Sequence, residues 1–240
     1  MLYKTRGIVL HSVKFSETSI IVKIYTELFG LQSFMVKGSR RKGSVMKPAF
    51  FQPLNLLDLT IYHKEKNTLQ SIREVRFSDP YLTVPFDIRK SSMALFINEL
   101  LYKTIREEER NPSLFEFIYT SCLQLDHSES FNHFHLLFSI RLTRFLGILP
   151  RADYSEHNRI FNLREGCFQE SRPEHPDFMD PELSGHFFSL LSGTPQESET
   201  LRIPLKSRII LLEKIIHYYQ LHLPGFTGLN SQEVLHTVLS

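Results

Sequence analysis

The chain has 240 residues, 42% of them hydrophobic and 22% charged, enough apolar material for a real core and too little compositional bias for disorder. No apolar run approaches the roughly 18 residues of a membrane-spanning helix, and the opening Met1-Leu2-Tyr3-Lys4-Thr5-Arg6-Gly7 alternates polar and apolar residues, so no signal peptide is expected. The formal charge of +2 conceals a split, because residues 1–80 carry 13 lysines and arginines against 6 acids and residues 81–240 carry 15 against 20.

Residues 1–80 read as β-strands separated by turns. Gly7 to Val13 is apolar and β-rich, and Ser19 to Thr26 sets Ile20, Val22 and Ile24 on one face against Ile21, Lys23 and Tyr25 on the other. Gly30 supplies a turn before a third strand, Leu31 to Val36. A cationic segment follows, Lys37-Gly38-Ser39-Arg40-Arg41-Lys42-Gly43-Ser44, and then a short helical connector near Pro48. Leu54 to Tyr62 and Leu69 to Phe77 are two further alternating runs, joined by the polar turn His63 to Asn67. Five short strands fit a small closed barrel of the OB type, with an SH3-like barrel as its structural rival.

The period changes after Pro85. Met93, Phe96, Ile97, Leu100, Leu101 and Ile105 recur at helical spacing behind a potential N-cap, Asp87, which predicts a helix to about Glu109. Asn111-Pro112 opens a second helix, and a third covers roughly Phe131 to Leu146 and stops at Gly147. Residues 151–180 are polar and weakly periodic and are expected to form an irregular insertion. Helices are predicted again from Leu205 to about Leu221 and from Ser231 to Leu239. The fold class is therefore α+β in two domains: an OB barrel over 1–80 and a helical domain over 81–240.

The cationic segment carries the strongest functional reading. Glycines let its backbone approach a phosphate closely, while Lys37, Arg40, Arg41 and Lys42 neutralise successive phosphates without sequence preference. Lys4, Arg6, Lys14, Lys23, Lys47 and Arg73 extend the surface, and Tyr3, Phe15, Tyr25, Phe29 and Phe34 offer rings, most of them expected in the core. The segment lacks the spacing of a nucleotide-binding P-loop. On the predicted third helix, Arg141 and Arg144 stand among Phe138, Leu142 and Phe145, where an acidic peptide ending in an apolar residue could dock.

Other chemistries find less support. The two cysteines, Cys122 and Cys167, form no Cys-x-x-Cys pair and read as reduced thiols, which favours a cytoplasmic protein without zinc. None of the eleven histidines stands in a nucleophile or general-base motif, so no enzyme is expected. A nuclease would need clustered carboxylates in the basic module, where Glu17, Glu27, Asp58, Glu65, Glu74 and Asp79 are scattered.

Four stretches give the chain a resemblance to the bacterial recombination mediator family RecO. They are Gly7-Ile8-Val9-Leu10 with Ser16-Glu17-Thr18-Ser19, Lys37-Gly38-Ser39-Arg40, Phe96-Ile97-Asn98-Glu99-Leu100-Leu101, and Leu229-Asn230-Ser231-Gln232-Glu233-Val234-Leu235. The resemblance implies an OB-fold and a helical C-terminal domain, binding of single- and double-stranded DNA, and annealing of strands coated by single-strand-binding protein. It also implies contact with the acidic tail of that protein and with RecR in loading RecA, in a cytoplasmic, nucleoid-associated setting. Many members of the family carry a four-cysteine zinc module in the place of 151–180, of which only Cys167 remains here. Asn230 and Gln232 replace a family Lys and Arg in the closing motif. A non-enzymatic RNA-binding or scaffold protein built on the same basic barrel is the alternative reading.

Overall fold

A bulge between Val9 and His11 lets one long strand serve two neighbours. In a computed structural model, which describes residues 1–39, 45–106, 108–194 and 201–239, β1 (Leu2–Lys14) pairs along its first half with β4 (Leu56–Tyr62) and along its second half with β2 (Ile20–Thr26). β3 (Gly30–Val36) continues antiparallel to β2, and β5 (Gln70–Phe77) closes the ring by pairing antiparallel with β4 and parallel with β3. The order β1-β2-β3-β5-β4 is a closed five-stranded barrel, as the strand pattern predicts for an OB-fold.

Period-two alternation drives this closure. Ile20, Val22 and Ile24 point inward with Val9, Phe34, Val36, Leu57, Leu59 and Ile61, all at most 6% exposed. Gly7 sits where β1 passes closely over both neighbours, and a Cβ there would come within 2.7 Å of Ile24 and 2.8 Å of Leu59. A 3-10 turn, Pro48–Phe51, sends the buried Phe51 into the same core.

The chain divides into two compact units, Met1–His127 and Ser128–Ser240, so the first two helices belong with the barrel. α1 (Ile88–Thr104) is capped by the Asp87 carboxylate, which accepts from the N–H groups of Arg89 and Lys90. It ends at Thr104 and not near Glu109, because the next residue, Ile105, takes an extended conformation and turns into the core at 4% exposure. Beyond it the backbone of Glu109 closes on Gly30, whose φ of +60° and lack of a side chain permit the approach.

α2 (Pro112–His127) is tied to the segment after the barrel through Asp126. This buried carboxylate accepts from the backbone N–H groups of Leu82, Thr83 and Val84 at 2.8, 2.8 and 2.9 Å. The buried Lys90 ammonium donates to Thr83 Oγ1 and to the Asp126 carbonyl, both at 2.7 Å. Burial works against the ionised Asp126, yet the three N–H donors hold its pKa below the usual carboxylate range.

In the second unit α3 (Phe134–Phe145) stops at Gly147, which takes a φ of +72° while the Ile148 N–H bonds back to the Thr143 carbonyl. The stretch expected to be irregular contains a small antiparallel sheet in the order β7-β6-β8, from β6 (Ile160–Asn162), β7 (Cys167–Gln169) and β8 (Phe178–Met179). Its alternation is too short to read in sequence, but Phe161, Leu163, Phe168 and Met179 are at most 3% exposed. α4 (Pro181–Ser192), absent from the sequence reading, begins at an Asp180 cap and buries Leu183, Phe187 and Leu190. α5 (Leu205–His222) and α6 (Ser231–Leu239) match the predicted helices. No helix among the described residues is long and apolar enough to cross a membrane.

Candidate nucleic-acid interface

One end of the barrel collects exposed cations. Lys14, the last residue of β1, pairs with Ile20 at the start of β2, and Ile20 pairs with Val36 at the end of β3, immediately before Lys37. Both lysines are exposed, and neither has an ion-pair partner among the described residues. Gly38, at a φ of +68°, turns the chain away from β3, and Ser39 Oγ reaches the Thr18 carbonyl in the β1–β2 turn at 3.5 Å. Arg40, Arg41 and Lys42 lie outside the described residues. Glu17 is the one carboxylate among the described residues of the β1–β2 turn.

The β4–β5 turn runs beside β3, since Gln70 pairs with Phe34. The Gln70 amide fixes this turn by accepting from the Lys64 N–H at 3.0 Å and donating to the carbonyls of Lys64 and Asn67 at 2.9 and 2.8 Å. Lys64 and Lys66 stand exposed on it. These two lysines escape the sequence reading, which identifies the turn but not the strand it adjoins. OB-folds present oligonucleotides between the β1–β2 and β4–β5 loops, across strands β2 and β3.

Helices α1 and α2 cover part of that face. Lys23 lies 5.4 Å from the centroid of the Tyr102 ring, which also stacks on His11 at 4.4 Å, and Tyr25 packs on Phe115 at 6.1 Å. Burial and then the charge of Lys23 hold the His11 pKa below its ordinary value. Of the five rings named from sequence, Tyr25 and Phe34 are core, Tyr3 and Phe29 pack with His63, and Phe15 alone is exposed.

Arg6 has a different occupation from the one expected of it. Its guanidinium forms a forked pair with Glu27 at 3.0 and 2.9 Å and a further contact with Glu116 at 2.9 Å. The Glu27 hydrogen bonds raise the Arg6 pKa above its ordinary value and draw that of Glu27 down. A groove of about 450 Å³ beside it is charge-balanced, lined by Lys4, Arg6 and Arg76 and by Glu27, Asp58 and Glu74. Arg76 pairs with Asp58 at 2.8 Å, which leaves Lys4 as the cation of this groove without an ion-pair partner among the described residues.

In the second unit Arg144 is exposed, whereas Arg141 is half-buried and donates to the Gly193 carbonyl at 3.4 Å. Burial holds the Arg141 pKa below its usual value. Phe138 and Leu142 face the core, so the apolar surface beside Arg144 comes from the half-buried Phe145 and from Leu149 at 52% exposure. Where the family's zinc module would lie, the donors do not fit a metal. Among the described residues no three His, Cys, Asp or Glu side chains converge. Around Cys167 the sheet is instead held by aromatic packing of Phe161, Phe168 and Phe187 and by Asp177, which bonds Arg164 at 2.6 Å and His217 at 2.8 Å.

Comparison with known proteins accounts for both parts of the chain. The family model for the recombination protein O N terminal region matches residues 1–81, and that for the C terminal region matches residues 85–232. A DNA repair protein RecO of Bacteroides fragilis is 38% identical over 237 residues, 98% of each chain. Those of Phocaeicola vulgatus and Flavobacterium psychrophilum are each 36% identical, over 241 and 242 residues and the full length of both chains. An N-terminal closed barrel, a helical remainder and these full-length similarities make the chain a member of the RecO family of DNA repair proteins.

Proposed function

We propose that this protein is a non-enzymatic mediator of DNA repair and recombination that binds single- and double-stranded DNA and anneals complementary strands coated by single-strand-binding protein. The barrel end bearing Lys14 and Lys37, continued by Arg40, Arg41 and Lys42 outside the described residues, neutralises phosphates of two strands together and lowers the repulsion that opposes their meeting. Lys4, Lys23, Lys64 and Lys66 widen the cationic surface, and Arg6 is left out of it because its charge is committed to Glu27 and Glu116. The observation that carries this reading is that Lys14 and Lys37, at one end of the OB barrel, have no acidic partner among the described residues, whereas Arg6, Arg73 and Arg76 elsewhere on it are ion-paired.

The helical part anchors the protein on coated DNA. Arg144 and Arg141 on α3 receive the acidic tail of single-strand-binding protein, and the protein acts with RecR to help load RecA, in the cytoplasm and on the nucleoid. No bond is made or broken in this scheme.

The test is strand annealing by the quadruple alanine variant at Lys37, Arg40, Arg41 and Lys42. Loss of annealing together with a flatter dependence of DNA affinity on salt is expected. Unchanged annealing with unchanged salt dependence would remove the loop from the mechanism. A peptide with the acidic tail sequence should be retained by the protein at low salt and released by an Arg144→Glu variant.

A further inference from the structure

Phe15 is 61% exposed, the most exposed aromatic ring of the described barrel. It is not on a loose loop. The N–H groups of Phe15 and Ser16 both donate to the Ser19 carbonyl, at 3.0 and 3.2 Å, and the Ser19 N–H donates back to Ser16 Oγ at 3.2 Å. Ser39, itself 2% exposed, ties the same turn to the chain after β3 through the Thr18 carbonyl. The turn therefore presents an uncovered phenyl face on a fixed frame, and among the described residues no ring or cation packs on it.

Its neighbours are two cations of this barrel end that have no ion-pair partner among the described residues. Lys14 precedes it directly, and Lys37 follows Val36, which shares the Ile20 pairing row with Lys14. An exposed flat apolar ring at the barrel end that carries two exposed lysines matches the two halves of a nucleotide, a base with a π-face and a phosphate with a charge. A duplex offers only the phosphate, because its bases are already stacked on one another.

We propose that Phe15 is a base-stacking residue: a single strand lays phosphates on Lys14 and Lys37 and one unpaired base on the Phe15 ring. This rests on the reading that this end of the barrel holds nucleic acid, and it adds a preference for unpaired strands at this point. Annealing withdraws the base from the ring as it pairs, so the product duplex leaves this contact more readily than either strand.

The chain contains no tryptophan, so Phe15→Trp places a single indole at the proposed contact. Titrating that variant with a single-stranded oligonucleotide should quench its fluorescence, and the matching duplex should quench it much less. Phe15→Ala and Phe15→Leu should each lose about tenfold in affinity for the single strand, the lower range of what one stacked base contributes, with duplex affinity unchanged. Phe15→Tyr should keep wild-type behaviour. Anisotropy of a labelled oligonucleotide separates the two layers of the argument. Binding without indole quenching, or a Phe15→Leu variant of wild-type affinity, would overturn the stacking role and leave the cationic site standing. Failure of the wild-type protein to bind the labelled strand at low salt would overturn both. A protein partner for Phe15 would appear as full single-strand affinity in the Phe15→Ala variant.

Discussion

Arg6 on β1 and Glu116 on α2 meet at 2.9 Å, and the same guanidinium lies over the rings of Phe115 and Tyr119, 5.1 and 4.7 Å from their centroids. With Glu27 as its second carboxylate, this arginine joins the barrel to α2. Replacing it by methionine keeps most of the apolar stem but removes the charge-assisted hydrogen bonds and the cation–π contacts, and should cost about 2 kcal/mol of stability. Glu116 is half-exposed, so Glu116→Gln should cost no more than about 1 kcal/mol. Urea midpoints would show the ranking. An Arg6→Met variant of normal stability but flatter salt dependence in DNA binding would return the guanidinium to the phosphate contacts.

That arginine also marks where sequence reading stops. Its charge is visible in the chain, but its carboxylates come from 21 and 110 residues away, one brought to it by the β1–β2 pairing and the other by the packing of α2. The strands themselves are legible because Ile20, Val22 and Ile24 alternate over a complete inner face. The first residues of β1 are not, since the polar run Lys4-Thr5-Arg6 breaks the apolar alternation, and their partner, β4, lies more than fifty residues on. α4 escapes notice because Ser184, Gly185, Ser189 and Ser192 are weak helix formers, and its stability comes from packing Phe187 against Phe161. Charge alone separates Lys14 and Lys37 from Arg6 no better than it separates any lysine from any arginine.

Lys14 and Lys37 should each contribute one phosphate contact. Replacing either by alanine should reduce the slope of log affinity against log salt by about 0.7 on single strands and about 0.9 on duplex. The two effects should add in the double variant, because each residue neutralises a phosphate of its own. Lys4→Ala serves as a comparison in the charge-balanced groove, where a smaller change is expected. Equal slopes for all three single variants would mean that the cationic end has no privileged part in binding.

Asp126 should be among the most sensitive positions of the first unit. Asp126→Ala strands the N–H groups of Leu82, Thr83 and Val84, for a loss of about 3 kcal/mol or more. The folded-state pKa lies below the unfolded value of about 3.9. This contribution is therefore complete above that value and disappears as pH falls through the folded pKa. Asp126→Ala should accordingly be destabilised at neutral pH and lose the corresponding acid-dependent step. Equal acid dependence in wild type and variant would remove Asp126 as its source.

The second unit should respond to acid over a higher range. His133 and His135 are buried on or beside α3, and burial, aided by the charge of Arg208, pushes their pKa values down to about 4 and about 3. For a group whose folded pKa is depressed below an unfolded value of about 6.5, the neutral form favours the fold above that pH. As pH falls below it the unfolded chain takes up protons that the folded chain refuses. Each histidine then removes about 1.4 kcal/mol per pH unit until its own folded pKa is reached. His135→Leu, which keeps an apolar side chain of similar bulk, should flatten the decline between pH 6 and about 4 by roughly one such increment per unit. The midpoint of urea unfolding, followed by far-ultraviolet circular dichroism at half-unit steps of pH, gives the two slopes directly. Parallel slopes for wild type and His135→Leu would show that His135 takes up a proton without unfolding, and that the helices around it open to water well before they come apart.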